Sequence, residues 1–336
     1  MTISSIGSGG GRTYSTLQAW ENACPANLVS SADTWEGECY NDSEFAIAGT
    51  VLVIAGITTD ATHNVQLRCA TGQSFRDNAG VRTNALTYNA SNGVGIRTTG
   101  AYNNAVTCSV NYSTFDGLQI KSGTGSGNVG LTNTGTNNTV TDCIVFGTSA
   151  ALSNGGSGTT YKTYNCLAIN GLSGQGVFTS GTGCEVVGCT IVCPAATGST
   201  GVVTGNYVTA LIQNCAVFGF TNFQTGTGGA TSGSGANCTD KATAFGSTYG
   251  NQVSKTFANQ FTSTTTDFSI KAGADCINNG VYNSLVDPDI SATARSGSTP
   301  TIGCWEYVSA GGGGLPFFMQ DDLMCGYLQS LSGGMQ

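Results

Sequence analysis

Histidine is nearly absent from this chain: His63 stands alone among 336 residues, and Asp, Glu, Lys and Arg together make up only 9%. One histidine gives a Ser-His-Asp triad a single base to choose from, here in an irregular stretch, and no serine sits in a nucleophile elbow. Eleven Lys and Arg against 19 Asp and Glu, a formal net charge of −8, cannot form the concentrated basic surface that nucleic acid requires. Long apolar runs are also missing, so no window is fit to span a membrane. The N-terminus lacks the basic-then-apolar order of an export signal, which leads us to expect folding in a reducing cytosol.

What is abundant is glycine, 50 residues, which fits neither a helical protein nor a charge-rich disordered one. A length of 336 residues allows two domains, but repeats grow lengthwise and escape that count. A repeat is present. Cys143, Cys166, Cys189 and Cys215 follow one another at steps of 23, 23 and 26 residues, each opening a short β-branched or apolar run, and Cys238 comes 23 later. Gly117 stands 26 before Cys143, in the cysteine's place. Runs this short and this broken by Gly, Asn, Ser and Thr are strands, not helix pairs.

A period near 23 residues matches one three-strand coil of a parallel β-helix, successive coils rising about 4.8 Å. The position before the cysteine reads Asp116, Asp142, Asn165, Gly188, Asn214, Asn237, residue types that tolerate a left-handed bend. Amides stacked there can hydrogen-bond from coil to coil. The cysteines then act as small inward-facing residues, with Val145, Ala168, Ile191 and Val217 on the same face. The alternate residues Ile144, Phe146, Leu167, Ile169, Val192 and Phe218 form an outer apolar stripe, expected to lie against another subunit, most simply in a homotrimer. Bends shift parity, and a reversed parity would turn the cysteines outward.

Fourteen cysteines ordinarily signal a secreted disulfide framework, but ladder spacing makes them buried thiols here. Cys184, Cys189 and Cys193 match no usual zinc spacing, and the ladder accounts for Cys189; we expect neither metal nor cofactor. Ser15 and Gln18 read as a capping box opening a helix to about Ala23, with Leu17, Trp20 and Cys24 on one face. That helix would lid the open end of the solenoid. Trp35–Tyr40 and Thr50–Ala55 read as first strands, the second buried on both faces. Glu36, Glu38, Asp42 and Glu44 cluster beside them, read as a solvated loop edge in preference to a calcium or acid/base site. Arg68, Arg76, Arg82 and Arg97 fall in an irregular stretch taken as early coils with long loops.

Asp267-Phe268-Ser269-Ile270-Lys271-Ala272-Gly273-Ala274-Asp275-Cys276-Ile277-Asn278-Asn279-Gly280, with Thr301-Ile302-Gly303-Cys304-Trp305-Glu306-Tyr307, resembles the closing coils of right-handed parallel β-helix proteins of the pectate-lyase-like superfamily. Those proteins carry phrases close to DFxLxPGSPAIDAG and DIGAxEY. Tyr14–Glu21 with Trp35–Glu38 is similar to the start of β-helix proteins encoded by bacteriophages. Asn278, Ala272 and Thr301 depart from the closing pattern, which weakens a calcium or salt-bridge role at those positions. The resemblance spans about residues 12 to 307 and implies an all-β, right-handed parallel β-helix. The expected organisation is an N-terminal lead and cap over 1–45, the β-helix over 46–308, and a Gly linker with an apolar tail over 309–336.

Enzymes that cut polysaccharide share this fold, so carboxylates need weighing. Asp116 and Asp142, if equivalent on neighbouring coils, would lie about 4.8 Å apart, near the spacing of a retaining glycosidase. Asn and Gly on the same rung make a bend ladder the simpler account. Lys121, Lys162, Lys241 and Lys255 show none of the grouping with carboxylates that lyase chemistry wants. The tail is distinctive: Leu315, Phe317, Phe318, Met319, Leu323, Met324, Leu328 and Leu331 follow Gly311–Gly314 and would bury well against a partner. The expectation is thus a non-enzymatic virion protein assembled in the host cytoplasm, a capsid decoration or cement protein docking on other virion proteins. A tail fibre or tailspike acting on a host surface glycan, and a surface adhesin, are the alternatives.

Overall fold

The computed structural model describes residues 1–155, 160–205 and 209–309; the docking tail expected at 315–331 lies outside them. Met1–Glu306 forms one compact unit. Three sheets of nine, eight and seven strands build it, and every pairing between their strands is parallel. One coil illustrates the plan. Thr139–Thr141 lies in the first sheet, Ile144–Gly147 in the second and Ala150–Gly155 in the third; the chain then re-enters the first sheet one step along, at Lys162–Tyr164. This is a parallel β-helix.

The solenoid starts earlier than residue 46. Thr2–Ile6 and Trp35–Cys39 are the first two strands of the nine-stranded sheet, so the lead is part of the β-helix. The helix runs Leu17–Asn22, and its N-cap is Thr16, not Ser15: the Thr16 hydroxyl accepts from the Ala19 amide at 3.1 Å. Leu17 and Trp20 are fully buried and seal the end. Strand Leu52–Ile54 is buried on one face only, because Val53 points out at 42% exposure.

Inside, Leu118, Cys143, Cys166, Cys189 and Cys215 stack in the core. The cysteine's place one coil before Cys143 is therefore held by Leu118, not Gly117: the Ile144 amide donates to the Leu118 carbonyl as that of Leu167 does to Cys143. Cys238 leaves the ladder at the other end. It pairs with Ala216, one register later, so Asn237 takes the inward place. At these bends the residues with left-handed backbone are Gly117, Asp142, Asn165, Gly188, Asn214 and Ala236, and the bend ladder is thus one residue off expectation at both ends.

None of the thirteen described cysteines forms a disulfide, and eleven of them are buried. Burial pushes the Cys304 thiol up to about 12 and holds Cys166 and Cys215 well above the ordinary range, so these groups stay neutral and unreactive while the fold is intact. Titration with a thiol reagent is expected to label few cysteines in the native protein and nearly all after denaturation. Extensive disulfides in the purified protein would contradict this.

After Cys238–Thr239 the chain forms short 3-10 turns and runs back over the outside of the coils. Phe257 and Phe261 pack on Phe218 at ring distances of 5.7 and 5.5 Å, and the Cys304 amide donates to the Thr190 hydroxyl at 3.1 Å. The apolar stripe is therefore covered by its own chain. Ile144, Leu167, Ile169, Val192 and Phe218 are buried and Phe146 is half-buried, so the stripe does not present the subunit face expected of it.

The bend ladder holds this returning strap, henceforth residues 257–306. Asn214 exchanges two hydrogen bonds with the backbone of Val281, at 2.5 and 2.8 Å. Asn165 donates to Pro288 and accepts from Arg295. Among the side chains at these bends, Asn165 and Asp142 bond directly from coil to coil, at 2.6 Å. Gly188 combines a left-handed φ of 64° with Val286 so close that a Cβ would meet it at 2.9 Å; no side chain fits there.

Candidate functional site: an arginine and carboxylate groove

Residues at alternate positions of the first sheet point outward, and on three successive strands Glu38, Arg68 and Asp116 stand in register. Carboxylate, guanidinium and carboxylate thus stack at strand spacing. Arg68 also pairs with Glu36, which is 1% exposed, and lies 3.6 Å from Glu38. The loop after Cys69 rises over this face. Its turn Phe75–Asp77 is anchored by buried Phe75, and Asp77 accepts from the Ser74 hydroxyl at 2.8 Å and the Gly72 amide at 3.1 Å. That turn aims Arg76 at Asp142, 2.8 Å away. Glu38, Arg68, Thr71, Arg76, Asp77 and Asp116 line a cavity of about 360 Å³.

Asp116 and Asp142 do not share a rung. Asp116 pairs with Thr141, and Asp142 follows in the bend, so the stacked catalytic pair expected from the repeat is absent. Burial raises both carboxyls, that of Asp142 up to about 6, against the opposing charge of Arg76 and the hydrogen bond from Asn165. Their mutual repulsion adds to the rise of Asp142. A carboxyl that holds a proton near pH 6 can serve as a general acid, but both oxygens of Asp142 are already engaged, by Arg76 and Asn165.

Protonation nevertheless has a consequence for stability. A carboxyl raised in the folded state above its unfolded value near 3.9 favours folding below that value and loses the advantage as pH rises through about 6. Wild-type stability is expected to fall between about pH 4 and 6 through this group, by up to about 3 kcal/mol. Asp142→Asn, which keeps the left-handed bend, should flatten that segment of a denaturant midpoint against pH series. An unchanged slope would refute the assignment.

The other expected clusters resolve differently. Each carboxylate of the Glu36–Glu44 group has an arginine: Asp42 binds Arg12 at 2.7 and 2.8 Å, and Glu44 binds Arg97 and accepts from Tyr88 at 2.6 Å. Cys184, Cys189 and Cys193 are buried and point their thiols at separate backbone carbonyls. Among the described residues no group of three His, Cys, Asp or Glu is arranged to hold a metal. His63 bonds Asp60 at 3.1 Å on the surface. The four arginines from Arg68 to Arg97 stand out in the sequence but could not be paired there, since their partners Glu36, Asp142, Asp289 and Glu44 lie on other coils or on the strap.

Coils, sheets and groove define the chain as a three-sheeted parallel β-helix protein. No family model matches it, and no curated protein does. Among solved structures it is similar to the crystal structure of pectate lyase Pel9A, at 14% identity and a TM-score of 0.46, over 92% of this chain and 98% of that one.

Proposed function

We propose that this chain is a structural β-helix of a virion, a decoration or cement protein of a capsid that joins other virion proteins through residues 315–331. The observation that carries the reading is that both arginines of the groove are committed to holding the molecule together: Arg76 to Asp142, Arg68 to Glu36, and Asp142 through Asn165 to the strap. Stacked coils lined with buried free thiols suit assembly in a reducing compartment. The phage-like opening phrase supports the same setting. Deleting everything after Ser309 tests it. The expected product is a soluble rod of normal stability that no longer joins the particle; full occupancy by the truncated chain would rule the reading out, and a destabilised product would assign the tail to capping instead.

A second reading, a tail fibre or tailspike that holds host polysaccharide, is favoured by the groove itself. Arg68 is 39% exposed beside Asp116, and guanidinium with carboxylate is suited to sugar hydroxyls. A few copies at the tail and loss of glycan binding in Arg68→Ala would select it; many copies over the capsid would select decoration.

A further inference from the structure

The N-terminal end of the solenoid exposes the starting strand of each sheet, and the chain covers part of two of these edges. The Tyr14 backbone pairs along Thr2–Ile6, donating to Ser5 and accepting from Gly7 at 3.0 Å each. Along Leu52–Ile54 the cap helix supplies side chains in place of a strand: Gln18 accepts from the Val53 amide at 2.9 Å, and Glu21 from the Ala55 amide at 3.1 Å. The third edge is different. Phe45–Ile47 pairs with Gly95–Thr98 on one side and is the terminal strand of its sheet. Ala46 and Ile47 are exposed, Ile47 to 48%. Beside them a cavity of about 310 Å³ opens between the strand and the cap helix, with Leu17, Phe45 and Val51 among its walls.

An open strand edge next to an apolar pocket takes an extended peptide: its backbone continues the sheet and alternate side chains fill the pocket. We propose that this edge receives residues 315–320 of a second copy of the chain. The inference rests on the reading of the tail as a docking segment and names what it docks on. Leu315-Pro316-Phe317-Phe318-Met319-Gln320 carries no charge, which suits contact between two copies that each bear a net −8. Twenty-seven residues, 310 to 336, lie beyond the described structure, a length of chain sufficient to extend to a neighbouring copy. Contact of the tail of one copy with the head of the next is heterologous, so it propagates into rings or rows, as a decoration lattice needs.

A photo-crosslinking residue at position 318 of the full chain, mixed with a differently tagged wild-type chain, tests this. The expected result is an adduct between copies that maps to peptides containing residues 43–51. Ile47→Asp in the receiving copy, with its circular dichroism unchanged, should reduce that adduct about tenfold. An adduct within one copy, an adduct elsewhere, or one indifferent to Ile47→Asp overturns the proposal. If it is overturned while the full chain still occupies the particle and the chain ending at Ser309 does not, the proposed function stands and only the receiving site is lost.

Discussion

Arg295→Met is expected to cost about 3–5 kcal/mol, because it leaves buried polar groups with no compensation. The guanidinium is 1% exposed and donates to the carbonyls of Val286, Thr301 and Gly303 and to the Asn165 side chain, at 2.7 to 3.0 Å. It also faces Glu306 at 3.6 Å. Methionine has a similar stem and none of the donors. The damage should be local before it is global: amide exchange at Ile302, Gly303 and Cys304 should accelerate while the coils stay protected. Arg295→Lys should rescue little, since one ammonium cannot reach four divergent acceptors. A loss under about 1 kcal/mol would mean that the strap is held by its apolar contacts alone.

Trp20→Ala is expected to be similarly severe, about 3–5 kcal/mol, for a different reason. Trp20 is fully buried, stacks on Trp35 at 6.5 Å and closes the core against the first coil. Gly37 beneath it is small by necessity, since a Cβ there would meet the Trp20 ring and Ile6 at 2.7 Å. Removing the indole opens a cavity at an end of the solenoid, where no further coil covers it. Trp20→Phe should keep most of the stability, because the indole N–H is buried without an acceptor and its loss forfeits no hydrogen bond. Thermal unfolding of the pair of variants checks both statements; a tolerant Trp20→Ala would show that the helix is not the seal.

The register of the ladder shows how far a period can be followed. Cys143, Cys166, Cys189 and Cys215 were legible because identical residues recur where the coils are regular. At the ends, Asp116 and Asn237 look like the residue before a cysteine yet lie one place away from the bend. The left-handed sites there are Gly117 and Ala236. A one-residue slip reverses which face a side chain occupies, and it separates Asp116 from Asp142 as a pair. No local feature announced the slip, since Gly, Asp, Asn and even Ala stand at these bends.

What the sequence by itself determined was the repeating unit and its inward face. Those follow from short-range alternation and from the tolerance of Asp, Asn and Gly for a bend, which act within a single coil. Only the tertiary structure decided what lies against the outer face, because that depends on residues far apart in the chain. Phe218 meets Phe257, Asn165 meets Arg295, and Arg76 meets Asp142. An apolar stripe reads the same whether a neighbouring subunit or the returning chain covers it, since burial free energy depends on the area removed from water and not on whose atoms remove it.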